Sequence, residues 1–279
     1  MAVFEVNFHS ECLGRTVPVF VILPTDKTYF PGMPRREEGK PYKTLYLLHG
    51  VIGNYTDWLF NTRIKKYAED ADLCVVMPSG DNSMYLDQGV DYYGEFVGKE
   101  LIEFTRKTFP LSHKREDTYI GGFSMGGFGA MRNGLKYHET FGAIISLSGA
   151  YVMDEEMLIE VKEPMFPGET HTYKKRVYGQ DLEASLFSDK NPKYIIETLS
   201  KEKVDFPDIY MACGTEDFLL KKNEVIEQVL TDCGVKHTYV TGPGAHEWDF
   251  WDTYIKKAME WLPLENGVAG KISENIGLE

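Results

Sequence analysis

Short apolar runs alternate with amphipathic stretches over most of the chain. The apolar runs predict strands at 44–48, 73–77, 118–120, 143–147, 209–213 and 236–241. The amphipathic stretches predict helices at 61–70, 94–109, 124–137, 221–233 and 248–261. Continuously apolar strands joined by helical crossovers are typical of a parallel sheet that is covered on both faces. We therefore predict an α/β fold with a mostly parallel, doubly wound sheet.

Three segments depart from this alternation. Two β-rich runs, 3–8 and 16–23, predict an N-terminal antiparallel hairpin. The interval 151–207 mixes charged and aromatic residues with prolines, which predicts an insertion near the active site, at the carboxyl ends of the strands. Extra surface helices with no role in the site are the alternative. The residues 265–279 predict a loose tail after a single domain at 1–264.

Composition limits the partners of the chain more than its fold. Its 279 residues are 43% hydrophobic, which is enough for a sizeable core. The formal net charge of −13 argues against binding to nucleic acid or to an anionic membrane surface, and no apolar segment is long enough to span a bilayer. No residues have metal-site spacing and no glycine motif matches a nucleotide-binding loop, so we predict no cofactor.

Four widely separated cysteines indicate a reducing environment. Cys74 and Cys213 lie inside apolar strand-like runs, where a free thiol behaves as a small buried hydrophobe. Cys12 and Cys233 form no C-x-x-C pair with them. The simplest interpretation is a reduced, cytoplasmic protein. The sequence leaves open whether the chain forms a homo-oligomer.

The segment Gly122-Phe123-Ser124-Met125-Gly126 carries the strongest chemical signal in the chain. It matches G-x-S-x-G, with a short strand predicted before it and a helix after it. Such a sharp strand-to-helix turn lifts the serine hydroxyl above the sheet edge, beside the positive end of a helix. We therefore predict that Ser124 is a nucleophile for acyl chemistry.

A serine nucleophile needs a base and an acidic group that orients the base. In a doubly wound hydrolase these follow in the order serine, acid, histidine, on loops after later strands. His246 and Asp217 meet this requirement, with Glu216 as the rival acid on the same loop and helix capping as the alternative role for either. The other histidines lie in less suitable places; His49 precedes the serine and is interpreted as support for the loop that begins at Gly50.

Acyl transfer also needs donors for the oxyanion of the tetrahedral intermediate. These are commonly two backbone N–H groups that are fixed in place beforehand. Met125 follows the nucleophile and supplies the first predicted donor. The glycine-rich loop 50–54, after the strand 44–48, supplies the second, and we predict the N–H of Val51.

These segments together resemble the esterase D family of α/β-hydrolases, and within it the bacterial tributyrin-esterase type of carboxylesterase. The resemblance rests on Leu47-Leu48-His49-Gly50 with Asn54 and Trp58, Pro78-Ser79-Gly80-Asp81-Asn82-Ser83, Gly122-Phe123-Ser124-Met125-Gly126-Gly127, Gly214-Thr215-Glu216-Asp217 and Gly244-Ala245-His246-Glu247-Trp248. It implies the α/β-hydrolase fold, the triad Ser124, Asp217 and His246, the donors Val51 and Met125, and short-chain acyl esters as substrates. One departure stands out, because the loop after Gly50 lacks the cysteine-containing stretch associated with S-formylglutathione hydrolases.

The sequence thus predicts a cofactor-independent serine carboxylesterase that acts on a small-molecule ester through an acyl-enzyme intermediate. An S-formylglutathione-type thioesterase or a carbohydrate acetyl or feruloyl esterase with the same triad is the alternative within enzymes, and an acyltransferase is also open. A non-catalytic binding module on the same fold is the alternative from a different class.

Overall fold

One eight-stranded sheet organises the part of the chain that the computed structural model describes, which is residues 1–27, 35–164 and 167–264. The predicted tail, 265–279, lies outside the described residues. The strands are β1 (Ala2–Ser10), β2 (Arg15–Leu23), β3 (Thr44–Leu48), β4 (Cys74–Pro78), β5 (Asp87–Gln88), β6 (Asp91–Tyr92), β7 (Thr118–Phe123), β8 (Ala143–Leu147), β9 (Asp208–Gly214) and β10 (His237–Gly242).

The strand order in the sheet is β1-β2-β4-β3-β7-β8-β9-β10. β1 pairs with β2, and β2 with β4, in the antiparallel direction. All other pairs in this sheet are parallel. The predicted mostly parallel sheet with an N-terminal antiparallel hairpin is therefore confirmed. The small β5–β6 ladder was not predicted, because two residues a strand are too few to show a period.

Ten α-helices lie among the described residues. They are α1 (Asp57–Asn61), α2 (Ile64–Asp70), α3 (Tyr93–Glu95), α4 (Leu101–Thr108), α5 (Met125–Lys136), α6 (His171–Tyr178), α7 (Leu182–Leu186), α8 (Pro192–Glu202), α9 (Leu220–Asp232) and α10 (Trp248–Trp261). A π-helical stretch, Phe96–Glu100, joins α3 to α4. Short 3₁₀ turns occur at Arg115–Asp117, Glu155–Leu158 and Pro167–Glu169.

The predicted helix 61–70 is wrong at its start. Thr62 has extended backbone angles, φ −138° and ψ 173°, and separates α1 from α2. Its hydroxyl donates to the Trp58 carbonyl at 2.6 Å and accepts the Ile64 N–H at 3.1 Å. Because this hydroxyl bonds the end of α1 and the beginning of α2, it stabilises a break over a continuous helix.

Both faces of the sheet are covered, since neighbouring residues of one strand pack in different cores. Ile144 of β8 belongs to the core that includes residues of α5, α8 and α9. Ile145 belongs to the core that includes residues of α2 and α10. Side chains alternate between the two faces of a strand. Because both faces of this sheet are covered, every position along a central strand is buried and can be apolar. This explains why the central strands lack a polar face.

The interval 151–207 folds into α6, α7, α8 and two 3₁₀ turns, and α8 packs against α5 and α9. Arg132 joins the interval to α5, the helix that follows Ser124. Its side chain is 1% exposed and donates to the Asp189 carbonyl at 2.9 Å and carboxylate at 3.1 Å. A buried guanidinium needs such charged and carbonyl partners. The insertion is thereby attached to the helix that begins after Ser124.

Candidate active site

Ser124 occupies a strained turn between β7 and α5. Its φ is 54° and its ψ is −120°, a region that residues with a side chain rarely adopt. The turn is held by three backbone hydrogen bonds. The Ser124 N–H donates to the Leu147 carbonyl at 2.9 Å, and the Ser124 carbonyl accepts from Phe128 and Ala150, each at 3.0 Å. The surrounding structure therefore maintains a conformation that the serine alone would avoid.

Glycine is required beside this turn because backbone approaches backbone. A Cβ at Gly126 would lie 2.4 Å from the Leu48 carbonyl oxygen and 2.7 Å from that of His49. A Cβ at Gly122 would lie 2.5 Å from the Gly126 carbonyl oxygen. Carbonyl oxygens of β3 and its loop cannot retreat as a flexible side chain can. The G-x-S-x-G pattern is thus a packing requirement of the turn.

His246 and Asp217 reach Ser124 from loops after two neighbouring strands. His246 follows β10, and its Nε2 lies 3.0 Å from the Ser124 Oγ. Asp217 follows β9, and its Oδ2 lies 2.9 Å from the His246 Nδ1. The structure therefore brings together all three side chains predicted from the sequence, in one hydrogen-bonded chain. Because β9 and β10 are parallel, their carboxyl ends meet at one edge of the sheet.

The imidazole of His246 lies between two aromatic rings. The Phe218 ring centroid is 4.7 Å away, and the Trp251 ring stands edge-on at 4.9 Å. These contacts leave the ring little freedom to rotate away from Ser124. The sequence did not indicate either contact, since Phe218 lies in the turn after β9 and Trp251 lies in the first turn of α10.

Asp217 is a buried carboxylate that stays ionised. Burial alone would raise its pKa, but hydrogen bonds from His246, the Leu219 N–H and the Ser148 hydroxyl outweigh it, and the pKa is lowered from its usual value. The Ser148 Oγ also accepts the Trp251 indole N–H at 3.1 Å. Ser148 carries no local sequence signal, because its contact with Asp217 depends on β8 lying beside β9.

Glu216, the rival acid, is exposed and has partners other than the His246 imidazole. Its carboxylate accepts the Gly244 N–H at 2.7 Å and the Thr215 hydroxyl at 2.8 Å. These two hydrogen bonds lower its pKa. Glu216 therefore fastens the loop that carries His246 without touching the imidazole.

The loop after β3 is fixed by His49. The His49 Nε2 accepts the Gly80 N–H at 2.8 Å, which assigns the proton to Nδ1, and Nδ1 donates to the Gly50 carbonyl at 2.6 Å. Burial lowers the pKa of His49, which favours the neutral ring that this pattern needs. The Gly50 carbonyl belongs to the same peptide plane as the Val51 N–H. His49 thus supports this loop, as its position in the sequence indicated.

Met125 begins α5, so its N–H is one of the first four in the helix and has no acceptor within it. Val51 lies at the start of a turn in which the Gly53 N–H donates to the Gly50 carbonyl at 3.4 Å. The next N–H, that of Ile52, is already used by the Asn82 side chain at 2.7 Å. Val51 and Met125 therefore lie in segments that flank Ser124, and their role as oxyanion donors stays a prediction.

A cavity of about 730 Å³ lies beside α5, the helix that follows Ser124. Phe128 and Tyr151 line it. The backbone N–H groups of Phe128 and of Ala150, which precedes Tyr151, both donate to the Ser124 carbonyl. Phe218, 75% exposed, lines the cavity and contacts His246. The interval 151–207 contributes Met153, Leu186 and Tyr194. Charged side chains share the walls with these apolar ones: Asp154, Glu155, Glu156, Lys193, Glu197, Lys221 and Lys222. The cavity therefore has walls of mixed character, and Phe218 links it to His246.

Comparison with known proteins identifies the family. A family model described as "Putative esterase" matches residues 10–262. The chain belongs to this esterase family. An acetyl esterase of Caldicellulosiruptor saccharolyticus is 43% identical over 264 residues, which cover 94% of this chain and 98% of that protein.

Two solved structures from Staphylococcus aureus extend the similarity to the fold. One is FphF, a fluorophosphonate-binding serine hydrolase, with 31% identity and a TM-score of 0.79. The other is the S-formylglutathione hydrolase FrmB, with 30% identity and a TM-score of 0.78. Each alignment covers 94% of this chain and 98% of the other. The predicted α/β-hydrolase fold is confirmed.

The esterase is a serine hydrolase that cleaves carboxylic esters, and the binding-module alternative is set aside. Among the described residues, no helix is long and apolar enough to cross a membrane. Within the same residues, no three histidine, cysteine or acidic side chains are grouped as metal ligands.

Proposed function

We propose that Ser124, His246 and Asp217 are the catalytic triad of this esterase. We propose also that it hydrolyses short-chain acyl esters, with acetyl esters as the preferred class. The observation that carries the proposal is the hydrogen-bonded chain from Asp217 through His246 to Ser124. The 43% identity to a protein named acetyl esterase supports the acyl group. Membership of the esterase D family and its tributyrin-esterase branch is part of the same proposal, supported by the motifs of the sequence.

The reaction begins with proton transfer from Ser124 to His246. The Nε2 of His246 accepts the hydroxyl proton as Oγ attacks the ester carbonyl carbon. The ionised Asp217 holds the Nδ1–H and stabilises the imidazolium. The N–H groups of Val51 and Met125 receive the developing oxyanion, and each such donor contributes about 2.7–4 kcal/mol to lowering the barrier.

The second half of the reaction uses the same groups. His246 gives its proton to the leaving alcohol, and the acyl group remains on the Ser124 Oγ. Water then attacks the acyl-enzyme while His246 accepts a proton from it, and the carboxylic acid leaves as Ser124 is restored. No step needs a cofactor.

The insertion shapes the substrate cavity in this proposal. Met153, Leu186 and Tyr194, all between 151 and 207, line the cavity beside α5. These apolar side chains share the cavity with charged ones, and its wall residue Phe218 contacts His246, so a small substrate could bind there beside the triad. This favours a role in substrate binding over the alternative of unrelated surface helices.

An S-formylglutathione-type thioesterase is the second candidate. It is favoured by the 30% identity to the S. aureus enzyme of that name over 94% of this chain. The same triad serves either leaving group, because an acyl-enzyme forms in both reactions. The absence of the cysteine-containing stretch after Gly50 favours the ester.

The four cysteines, all unpaired, support a cytoplasmic location as a further part of the proposal.

The Ser124→Ala variant tests the triad. Turnover of p-nitrophenyl acetate and butyrate should fall to the background rate in a protein whose melting temperature stays near that of the wild type. Ser200→Ala, which removes a hydroxyl from α8, is the matched control and should keep full turnover. A folded Ser124→Ala protein with undiminished turnover contradicts the proposal.

A substrate panel separates the candidates. It comprises acetyl to octanoyl p-nitrophenyl esters, acetylated xylo-oligosaccharides, feruloyl esters and S-formylglutathione. The highest kcat/KM for acetyl or butyryl esters supports the proposal. A clear preference for S-formylglutathione favours the thioesterase.

A further inference from the structure

The loop that carries Val51 has little internal support for its shape. Ile52 has a φ of 59°, which is unfavourable for a β-branched residue. Its side chain is 93% exposed, so apolar packing does not hold it in this conformation. Strain of this kind persists only where neighbouring groups fix the backbone.

Asn82 supplies the external support. Its Oδ1 accepts the Ile52 N–H at 2.7 Å. His49 fixes the peptide plane before Val51 through the Gly50 carbonyl, and Asn82 fixes the plane after it through the Ile52 N–H. Each of the two peptide planes that flank the Val51 Cα is therefore held by a side-chain hydrogen bond.

Asn82 itself sits on a rigid frame. The Ser83 hydroxyl donates to the Gly80 carbonyl at 2.6 Å and accepts the Tyr85 N–H at 3.0 Å. From the insertion, the Tyr173 hydroxyl of α6 donates to the Asn82 carbonyl at 2.8 Å. Burial raises the pKa of Tyr173 to about 12, so this hydroxyl keeps its proton at neutral pH. Asn82 thus connects the insertion to the Val51 loop.

We infer that Asn82 is a positioning residue for the oxyanion site, acting through the Ile52 N–H on the direction of the Val51 N–H, with Tyr173 holding Asn82 in place. The inference rests on the proposed role of Val51. Oxyanion donors act on charge that exists only in the transition state. Loss of the Asn82 contact therefore lowers kcat and leaves substrate binding nearly unchanged.

Three variants test the inference. Asn82→Ala removes the acceptor for Ile52. Tyr173→Phe removes only the hydroxyl that holds Asn82 and leaves both loops intact. Ser79→Ala is the matched control, because the Ser79 Oγ also joins these two loops by accepting the Tyr55 N–H at 3.1 Å, but four residues beyond Val51.

Steady-state kinetics with p-nitrophenyl acetate should separate these variants. For Asn82→Ala we expect kcat to fall about 10- to 100-fold, the range for a misplaced catalytic group, with KM within about twofold of wild type. Tyr173→Phe should change kcat in the same direction by a smaller factor, and Ser79→Ala by less than about threefold. The double variant of Asn82 and Tyr173 should be no slower than Asn82→Ala alone, since both act through one contact.

The inhibition constant of an alkyl trifluoromethyl ketone is a second measurement, and it should not change in step with kcat/KM if Asn82 has only a structural role. The adduct of this ketone with Ser124 carries an oxyanion, so the inhibition constant should rise by the same factor as kcat/KM falls across the variants. The inference is overturned if Asn82→Ala keeps kcat within twofold, if Ser79→Ala loses as much activity, or if the inhibition constant stays constant. If Asn82→Ala does not fold, unchanged kcat and inhibition in Tyr173→Phe overturn it. Turnover by Ser124→Ala would instead refute the triad, so the two failures are distinguishable.

Discussion

At the scale of single residues, Asp217 and Glu216 show how two adjacent acids divide their roles. Asp217 is buried and bonds the His246 Nδ1, and Glu216 is exposed and bonds the Gly244 backbone. Only Asp217 can fix the tautomer of His246 and stabilise its charged form. Glu216 instead restrains the loop on which His246 stands.

The Asp217→Asn variant should therefore separate the two acids. We expect kcat for p-nitrophenyl acetate to fall by about 10⁴-fold in a folded protein, because an amide favours the wrong imidazole tautomer. Glu216→Gln keeps a carbonyl acceptor for Gly244 and should lose less than about tenfold. A larger loss in Glu216→Gln than in Asp217→Asn would show that the orienting acid is misassigned.

The sequence predicted the residues whose roles follow from local pattern and chain order. Ser124, Asp217 and His246 each follow a predicted strand, and the structure brings them within hydrogen-bonding distance. The contacts of Ser148 and Asn82 were not predicted, because each side chain bonds a segment that is distant in the sequence. A serine or asparagine after a strand has no local pattern that distinguishes such a contact from a turn.

At the scale of elements, a charge cluster joins the interval 151–207 to α5. Asp189 lies between Lys136 at 2.8 Å and Arg132 at 3.1 Å. Burial alone would raise the pKa of Asp189, but these two cations outweigh it and hold the pKa below its usual value. The folded state therefore favours the ionised carboxylate, and this stabilisation is lost when Asp189 is protonated.

The Asp189→Asn variant should be less stable than wild type in a pH-dependent way. We expect a loss of about 1–2 kcal/mol at pH 7 by urea unfolding, since the side chain is 55% exposed and solvent weakens its ion pairs. A depressed pKa contributes stability above the unfolded value of about 3.9, so the difference should shrink as pH falls below it. Asp70→Asn, which breaks the exposed Lys66 pair, is the control and should cost less than about 0.5 kcal/mol. A pH-independent difference for Asp189→Asn would contradict this account.

Long elements with a regular hydrophobic pattern were predicted well, but the breaks within them were not. The central strands follow from continuous apolar runs. The break at Thr62 was missed because it comes from a side chain bonding two helix ends, which the apolar period does not record. Within 151–207, α7 was not predicted, since its five residues are too few to show a helical period.

At the scale of the whole molecule, the strand order determines the site. β3 lies between β4 and β7, so the loops after β3 and β4 meet and Asn82 can reach Ile52. β9 and β10 are neighbours at the other side of β7 and β8, which brings Asp217 and His246 together. The sequence indicates the strands and their parallel class but not this order, because the order arises from long-range packing.

The central claim is that Ser124 is the nucleophile, and mass spectrometry after reaction with a fluorophosphonate tests it most directly. If Ser124 is the nucleophile, one adduct per chain should form on its Oγ, in step with the loss of esterase activity, and none should form in Ser124→Ala. Modification of a different residue with Ser124 left free, or full activity in the stoichiometrically modified protein, would contradict it.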